Sequence, residues 1–238
     1  MDKAVIDLIL YSGIAGITVF LGGIIANYFS HHIKESPVKY EITHTLMSFG
    51  AGIILSAVAL VLIPRGMEEL DIIPLAILFL IGTLLFMLLD RYLAKQGGQV
   101  STLLAMMMDF IPESIALGAV FSSAPSTAFL LAIIIGLQNL PEAFNSFRDL
   151  VISGYSTKKT LAIFLVLSIC GIPSALAGHF FLSQYPELTA YLMIFASGGI
   201  FYLLIQDIIP QSKLANNYLT PIGASLGFLV GIVGEKVL

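Results

Sequence analysis

The chain has 238 residues, of which 58% are hydrophobic and only 11% charged, and its formal net charge is -4. With a mean hydropathy of +0.96, it is not an ordinary soluble domain, and we predict a polytopic protein of the lipid bilayer. The small net charge gives no reason to expect a nucleic-acid partner. The single cysteine, Cys170, excludes an intrachain disulfide and a multi-cysteine metal cluster.

Apolar runs long enough to cross a bilayer recur along the chain, since a spanning helix needs roughly 20 mostly apolar residues. We predict eight spanning helices, at about residues 4–31, 42–67, 72–94, 101–123, 125–151, 157–183, 188–210 and 217–237. The first run is too long for the core of a signal peptide and is expected to be retained. The polar segments between the runs are short, so we expect one transmembrane domain over residues 1–238.

The basic residues predict the orientation. Of the eleven lysines and arginines, the first, third, fifth and seventh loops hold eight: Lys34, Lys39, Arg91, Lys95, Arg148, Lys158, Lys159 and Lys213. Because cytoplasmic loops carry the excess of basic residues, these loops should be cytoplasmic and both termini outside. The expected location is the cell membrane, which is the inner membrane if the source is a Gram-negative bacterium.

Two internal repeats predict the architecture. FGAGIILSAVALVLIP (49–64) resembles FASGGIFYLLIQDIIP (195–210), and fifteen positions separate phenylalanine from the final proline in both. DFIPES (109–114) pairs in the same way with QNLPEA (138–143). The paired helices cross the membrane in opposite senses, as in the inverted repeats of many secondary transporters. We therefore expect an all-α fold in which helices 1–3 and 6–8 are inverted repeats around a central pair, helices 4 and 5.

Polar residues fall where they are most costly. Asp109, Glu113, Gln138, Asn139 and Glu142 lie near the middle of helices 4 and 5 and should share one depth. An ionised acid at the bilayer centre costs about 2.5–3.5 kcal/mol, so three cost roughly 8–10 kcal/mol unless they are paired, hydrated or protonated. No lysine or arginine falls at a comparable depth in the sequence. A bound cation is the simplest remaining partner.

The spacing within each motif supports this hypothesis. Asp109 and Glu113 are four residues apart, as are Gln138 and Glu142, so each pair shares one helical face. The motif prolines each remove a backbone hydrogen bond and free a carbonyl four residues earlier to bind an ion or water. A purely structural alternative is that the prolines kink the helices while the acids pair with hydroxyls or amides. Two matched motifs favour the cation site.

Two further features have weaker interpretations. Met106, Met107 and Met108 offer thioether sulfur beside Asp109, although methionine more often fills gaps in a core. Three glycines repeat every four positions in helix 8, which indicates a close contact between helices: Gly223, Gly227 and Gly231.

Taken together, these motifs resemble the ZIP (Zrt/Irt-like) family of divalent-metal transporters, nearest its prokaryotic GufA-like branch. The resemblance covers nearly the whole chain: eight helices with outward termini, a helix 2 ending in LIP, a helix 7 of the form FAxGGxxY ending in IIP, and paired PE motifs on helices 4 and 5. It implies a carrier in which helices 4 and 5 move against a scaffold and bring a divalent cation, as transported substrate, into the cytoplasm.

The chain departs from the family at the ligands. The family's fourth-helix motif reads HNxPEG, so Asp109 stands for the histidine and Phe110 for the asparagine. The fifth-helix motif keeps Gln138, Asn139 and Glu142, but Ile172 stands where the family often has a glutamate on helix 6. The resemblance therefore implies one metal site and argues against a binuclear one.

The donor atoms of the predicted site indicate which metals it would prefer. An all-oxygen site suits manganese, magnesium or ferrous iron better than zinc. Carboxylates also bind zinc and cadmium, so manganese, zinc, iron and cadmium all stay open, as does a homodimeric assembly.

Other functional classes fit less well. The main alternative is a ZIP-fold carrier of protons or another small cation. An intramembrane hydrolase is disfavoured because the chain lacks GxGD and HExxH, and we expect no enzyme activity. A metal sensor or scaffold is disfavoured because no soluble effector domain is present in this sequence.

Overall fold

The structure, a computed structural model, describes residues 3–34, 36–96, 99–215 and 217–237, with side chains for all of these except 96 and 99–105. These ranges form eight continuous helical segments. They are α1 Lys3–His32, α2 Pro37–Glu69, α3 Ile72–Gln96, α4 Gln99–Val120, α5 Pro125–Ile152, α6 Thr157–Leu182, α7 Pro186–Ser212 and α8 Leu219–Val237.

Seven of these segments, in the part of the chain that the structure describes, are long and apolar enough to cross a membrane. The eighth, α4, has 22 residues and carries Asp109, Pro112 and Glu113. The prediction of an all-helical, multi-pass membrane protein is confirmed.

The second predicted helix was placed too late, because α2 begins at Pro37 and not near residue 42. Ser36 caps it, since its hydroxyl accepts a hydrogen bond from the Lys39 backbone N–H at 3.1 Å. Proline follows in the first turn, where its missing N–H costs nothing.

The helices pack in two groups of four. In the first group, α1 packs against α5 and α6, and α4 packs against α5 and α6. In the second, α2 packs against α8 and α3 packs against α7. The groups meet where α5 touches α2 and where α4 touches α7. The two helices that carry the PE motifs therefore belong to one group and face the other.

Glycines set the closest contacts in the second group. A β-carbon on Gly223 or Gly227 would collide with the backbone of α2, at Thr45 or Phe49. The close contact predicted from the glycine stripe of helix 8 is thus confirmed.

Both long repeats contain a widened, π-helical turn. It spans Ala57–Leu62 in α2 and Leu204–Ile208 in α7, and in each case it ends two residues before the proline of the motif. Such turns leave the regular backbone ladder and are frequent at functional sites.

Candidate functional site

The PE motifs of α4 and α5 meet in the interior. Glu113 is 1% exposed and Gln138 is fully buried. The Gln138 side-chain N–H donates to Glu113 Oε2 at 2.5 Å, which links the two helices directly. Asp109, one turn earlier on α4, is also buried, and its Oδ1 accepts from the Phe110 backbone N–H at 2.8 Å.

Several polar atoms of the two PE motifs are buried without a hydrogen-bond partner among the described residues. Four are oxygens: Glu113 Oε1, Gln138 Oε1, Asn139 Oδ1 and Glu142 Oε2. The Asn139 side-chain nitrogen is also buried without a hydrogen-bond partner among the described residues. Buried polar groups in native proteins are nearly always paired, because an unpaired group costs about 1–3 kcal/mol. A cluster of unpaired oxygens is therefore the arrangement expected of a site that binds something electropositive.

The acids are close enough to influence one another. Asp109 and Glu142 line the same end of one cavity, and Glu113 lies one turn from Asp109 on α4. The charged Arg65 lies elsewhere, paired with Glu68 at 3.1 Å.

The acids alone do not form a finished metal site. Within the described residues, no group of three or more His, Cys, Asp or Glu side chains is arranged to hold a metal ion. A complete coordination shell would therefore need the amide oxygens of Gln138 and Asn139 in addition to carboxylates. Oxygen shells of this mixed kind are typical of hard cations.

Glycine and proline position the turn that carries these groups. A β-carbon on Gly50 of α2 would lie 2.7 Å from Pro141 Cγ, so only glycine lets α2 approach this closely. The same point lies 3.9 Å from the Gln138 carbonyl oxygen. The second helix group thus packs directly against the turn between Gln138 and Glu142.

Apolar side chains occupy the neighbouring space on α4 and α6. Phe110 is 1% exposed, and its ring packs against the glycines Gly16 of α1 and Gly171 of α6. Ile172 points towards Gly13 of α1, where its Cδ1 lies 3.8 Å from the position of a β-carbon. Neither side chain offers a ligand atom.

A cavity of about 290 Å³ leads away from this contact. At one end it is lined by Asp109, Gln138 and Glu142. It continues past Asn145 and Asp149 towards the side where α1, α3, α5 and α7 end. We call this the inner side, because the basic residues predict that it is cytoplasmic.

The opposite, outer side is packed. Beyond the motifs, α2, α4 and α5 contribute Val58, Leu117, Leu131 and Ile134 to one buried apolar cluster. A smaller cavity of about 170 Å³ lies near the outer ends. Beside it the Arg65 guanidinium donates to the Thr127 hydroxyl at 2.6 Å, joining α2 to α5.

The structure brings together four of the five residues predicted from the motifs, since Glu113 pairs with Gln138 and the cavity is lined by Asp109, Gln138 and Glu142. The fifth, Asn139, follows Gln138 on α5 and is buried with its amide unpaired. Their predicted role as metal ligands stays a prediction.

The motifs did not predict the polar wall of the cavity. Two acids there, Asp90 of α3 and Asp207 of α7, come from the second group, and the Tyr202 hydroxyl donates to Asp90 Oδ2 at 2.9 Å. The signal for the α5 wall was present in the sequence, since Gln138, Glu142, Asn145 and Asp149 are spaced four, three and four apart on one helical face.

The fold and this site define a multi-pass membrane protein with a buried, oxygen-rich contact between two proline-containing helices. Part of the chain is similar to zinc transporter zipt-7.2 of Caenorhabditis elegans, with 24% identity over 146 residues, which are 58% of this chain and 31% of that protein. The match thus spans about a third of the relative's length. No protein-family model matches the chain.

Proposed function

We propose that this protein is a secondary transporter of the ZIP type that carries a divalent metal cation, and that the cation binds between α4 and α5. The proposed ligands are Asp109, Glu113, Gln138, Asn139 and Glu142. The observation that carries the proposal is the set of four buried oxygens without a partner at the contact of the two PE motifs. The similarity to a zinc transporter supports the same class of substrate.

The packing supports an inverted repeat of helices 1–3 and 6–8. If helices 1, 2 and 3 correspond to 6, 7 and 8, and helix 4 to helix 5, the main contacts between helices have counterparts. The contact of α2 with α8 corresponds to that of α7 with α3, and the contact of α1 with α5 to that of α6 with α4. The π-helical turns of α2 and α7 end at the same register of the repeat.

Individual contacts follow the same register. Gly52 lies three residues after Phe49 and packs against the Ala224 carbonyl of α8. Gly198 lies three residues after Phe195 and packs against the Phe79 carbonyl of α3. Inverted repeats are typical of carriers in which one helix group moves against the other around a midplane site, which fits a single transport domain.

The surroundings favour one ion at a time and a cytoplasmic exit. Phe110, next to Asp109, packs its ring against Gly16 and Gly171, and Ile172 packs towards Gly13, so neither adds an oxygen for a second ion. The polar cavity on the inner side provides the path to the cytoplasm, given the orientation that the basic residues predict.

A carrier of protons or another small cation is the second candidate. It is favoured by the position of Asp109 and Glu142 in the lining of one cavity, where carboxyls can take up and pass on protons without any metal. The two candidate functions differ in the ion that occupies the site, which is a divalent metal in the first and a proton or another small cation in the second.

Purified protein in proteoliposomes would separate them. Uptake of manganese, zinc, iron(II) and cadmium should be saturable, and a saturating metal should raise the melting temperature of the detergent-solubilised protein, since it binds only the folded state. Glu235→Gln, on the exposed face of α8, is the matched control and should behave as the unmodified protein. Proton flux with neither metal uptake nor a metal-dependent shift would favour the second candidate and overturn the first.

A further inference from the structure

Three methionines line the same inner cavity as the carboxylates. Met106 and Met108 come from α4 and Met47 comes from α2, so both helix groups contribute. The cation site proposed between the two PE motifs does not use these methionines.

The three methionines line the cavity at or inward of the depth of Asp109. Met106 precedes Asp109 by three residues, so the two share one face of α4. Met47 precedes Gly50 by the same interval, and Gly50 packs against the turn between Gln138 and Glu142. Because α2 and α4 both run from the inner side, Met47 and Met106 lie about one turn inward of the site, whereas Met108 directly precedes Asp109 and lies at nearly the same depth.

Packing alone does not account for this placement. Met107, between the other two on α4, packs against the apolar cluster around Phe144 and Phe147 and does not line the cavity. Met106 is a buried member of that cluster and also lines the cavity, and Met47 and Met108 are only half-buried. An aliphatic side chain would fill these positions as well, whereas a thioether adds a soft, polarisable donor in a wall otherwise supplied with carboxylates and amides.

We propose that Met47, Met106 and Met108 form a thioether subsite in the inner cavity that binds soft divalent cations such as Cd²⁺ on their way to or from the carboxylates. The proposal rests on the proposed function to the extent that the cavity is the path of the ion. Hard cations such as Mg²⁺ have little affinity for thioether sulfur and would pass this subsite without binding.

Methionine methyl groups report on such binding without any transport. Protein carrying carbon-13 in its methionine methyls, in lipid nanodiscs, is titrated with Cd²⁺ and separately with Mg²⁺, and the signals are assigned with single leucine variants. Cd²⁺ should shift the methyl signals of Met47, Met106 and Met108 but not that of Met87, which lies on α3 away from the cavity. Mg²⁺ should leave all four in place.

Affinity measurements give a second, independent result. The triple variant Met47→Leu, Met106→Leu, Met108→Leu should bind Cd²⁺ about tenfold more weakly, the order of effect expected for lost support at a metal site, and Mn²⁺ as tightly as before. Met87→Leu is the matched control. If the triple variant fails to fold, the methyl titration of the unmodified protein still decides.

Each outcome separates this subsite from the transport site. Methyl shifts with Cd²⁺ that persist in Glu113→Gln, whose uptake is lost, would support the subsite and the transport site separately. Unmoved methyls at saturating Cd²⁺, or equal shifts with Mg²⁺, would overturn the subsite even if uptake is normal.

Discussion

The inner and outer halves of the cavity-forming helices differ in packing. On the inner side of the PE motifs, α3, α5 and α7 present Asp90, Asp149 and Asp207 to a cavity of about 290 Å³. On the outer side, the same bundle is filled by branched and small apolar residues that belong to one buried cluster. α5 and α7 thus present polar groups on one side of the site and buried apolar groups on the other, so access to the site depends on how the two helix groups pack.

The strongest test of this comparison is to remove the acids at the boundary between the halves. Alanine in place of Glu113 or Glu142 should abolish saturable metal uptake, because each substitution removes the carboxylate of one of the proposed ligands. Glu113→Ala also leaves the Gln138 amide unpaired, which costs about 1–3 kcal/mol of stability. Uptake in proteoliposomes is measured together with size-exclusion profiles that confirm folded protein. Normal transport by folded Glu113→Ala would refute the site.

Accessibility tests the two halves directly. In a Cys170→Ala background, a cysteine at Asn145 should react readily with a water-soluble thiol reagent added from the inner side, since Asn145 lines the cavity. A cysteine at Ile134, which is fully buried one turn outward of Gln138 on α5, should react with reagent from neither side. Rapid labelling at Ile134 from outside would show that the barrier does not hold in the membrane.

The sequence predicted the helices and the site to different extents. The eight apolar runs could be found because the thickness of the bilayer sets the length of a spanning helix. The two PE motifs could be found because an acid within an apolar run costs so much free energy that it is usually functional. The start of α2 was missed because Lys39 and Glu41 made its first turns look like a loop, whereas a serine cap and a proline begin the helix there.

The inner cavity could not be predicted from single segments. Asp90 and Asp207 looked like ordinary polar residues near the ends of apolar helices, and only the packing of α3 on α7 brings both to one cavity. Which half of the site is open depends on the relative position of the two helix groups, a tertiary property that no local pattern contains.

Protons should compete with metal for the acids at the boundary between the two halves. The expected effect on metal affinity is smaller and graded with pH. A carboxylate must lose its proton to bind a metal, so affinity should fall as the pH falls from about 8 to about 5, by up to about tenfold per pH unit for each proton displaced. Metal titrations of purified protein at several pH values measure this. The slope should flatten in a variant with amides at Asp109, Glu113 and Glu142, and a flat profile in the unmodified protein would contradict shared occupancy of these oxygens.

The smallest expected effect concerns metal preference, and it tests whether Asp109 belongs to the boundary at all. Asp109 lines the inner cavity beside Glu142, and its carboxylate is a harder donor than the histidine that the ZIP resemblance would place there. Asp109→His replaces this oxygen with a borderline nitrogen and removes a negative charge, so the preference should move from manganese towards zinc and cadmium.

Competitive uptake of manganese against zinc, by unmodified protein and variant in matched vesicles, measures the change in preference. The ratio is the useful quantity, because the absolute rate also falls if the imidazole lacks a partner that orients it. The neighbouring thioethers would add to the preference for soft ions in both proteins and so cancel from the comparison. A ratio that is unchanged or reversed, in a folded and active variant, would mean that the ion does not touch residue 109. The inner cavity would then end at Glu142, and Asp109 would belong to its wall.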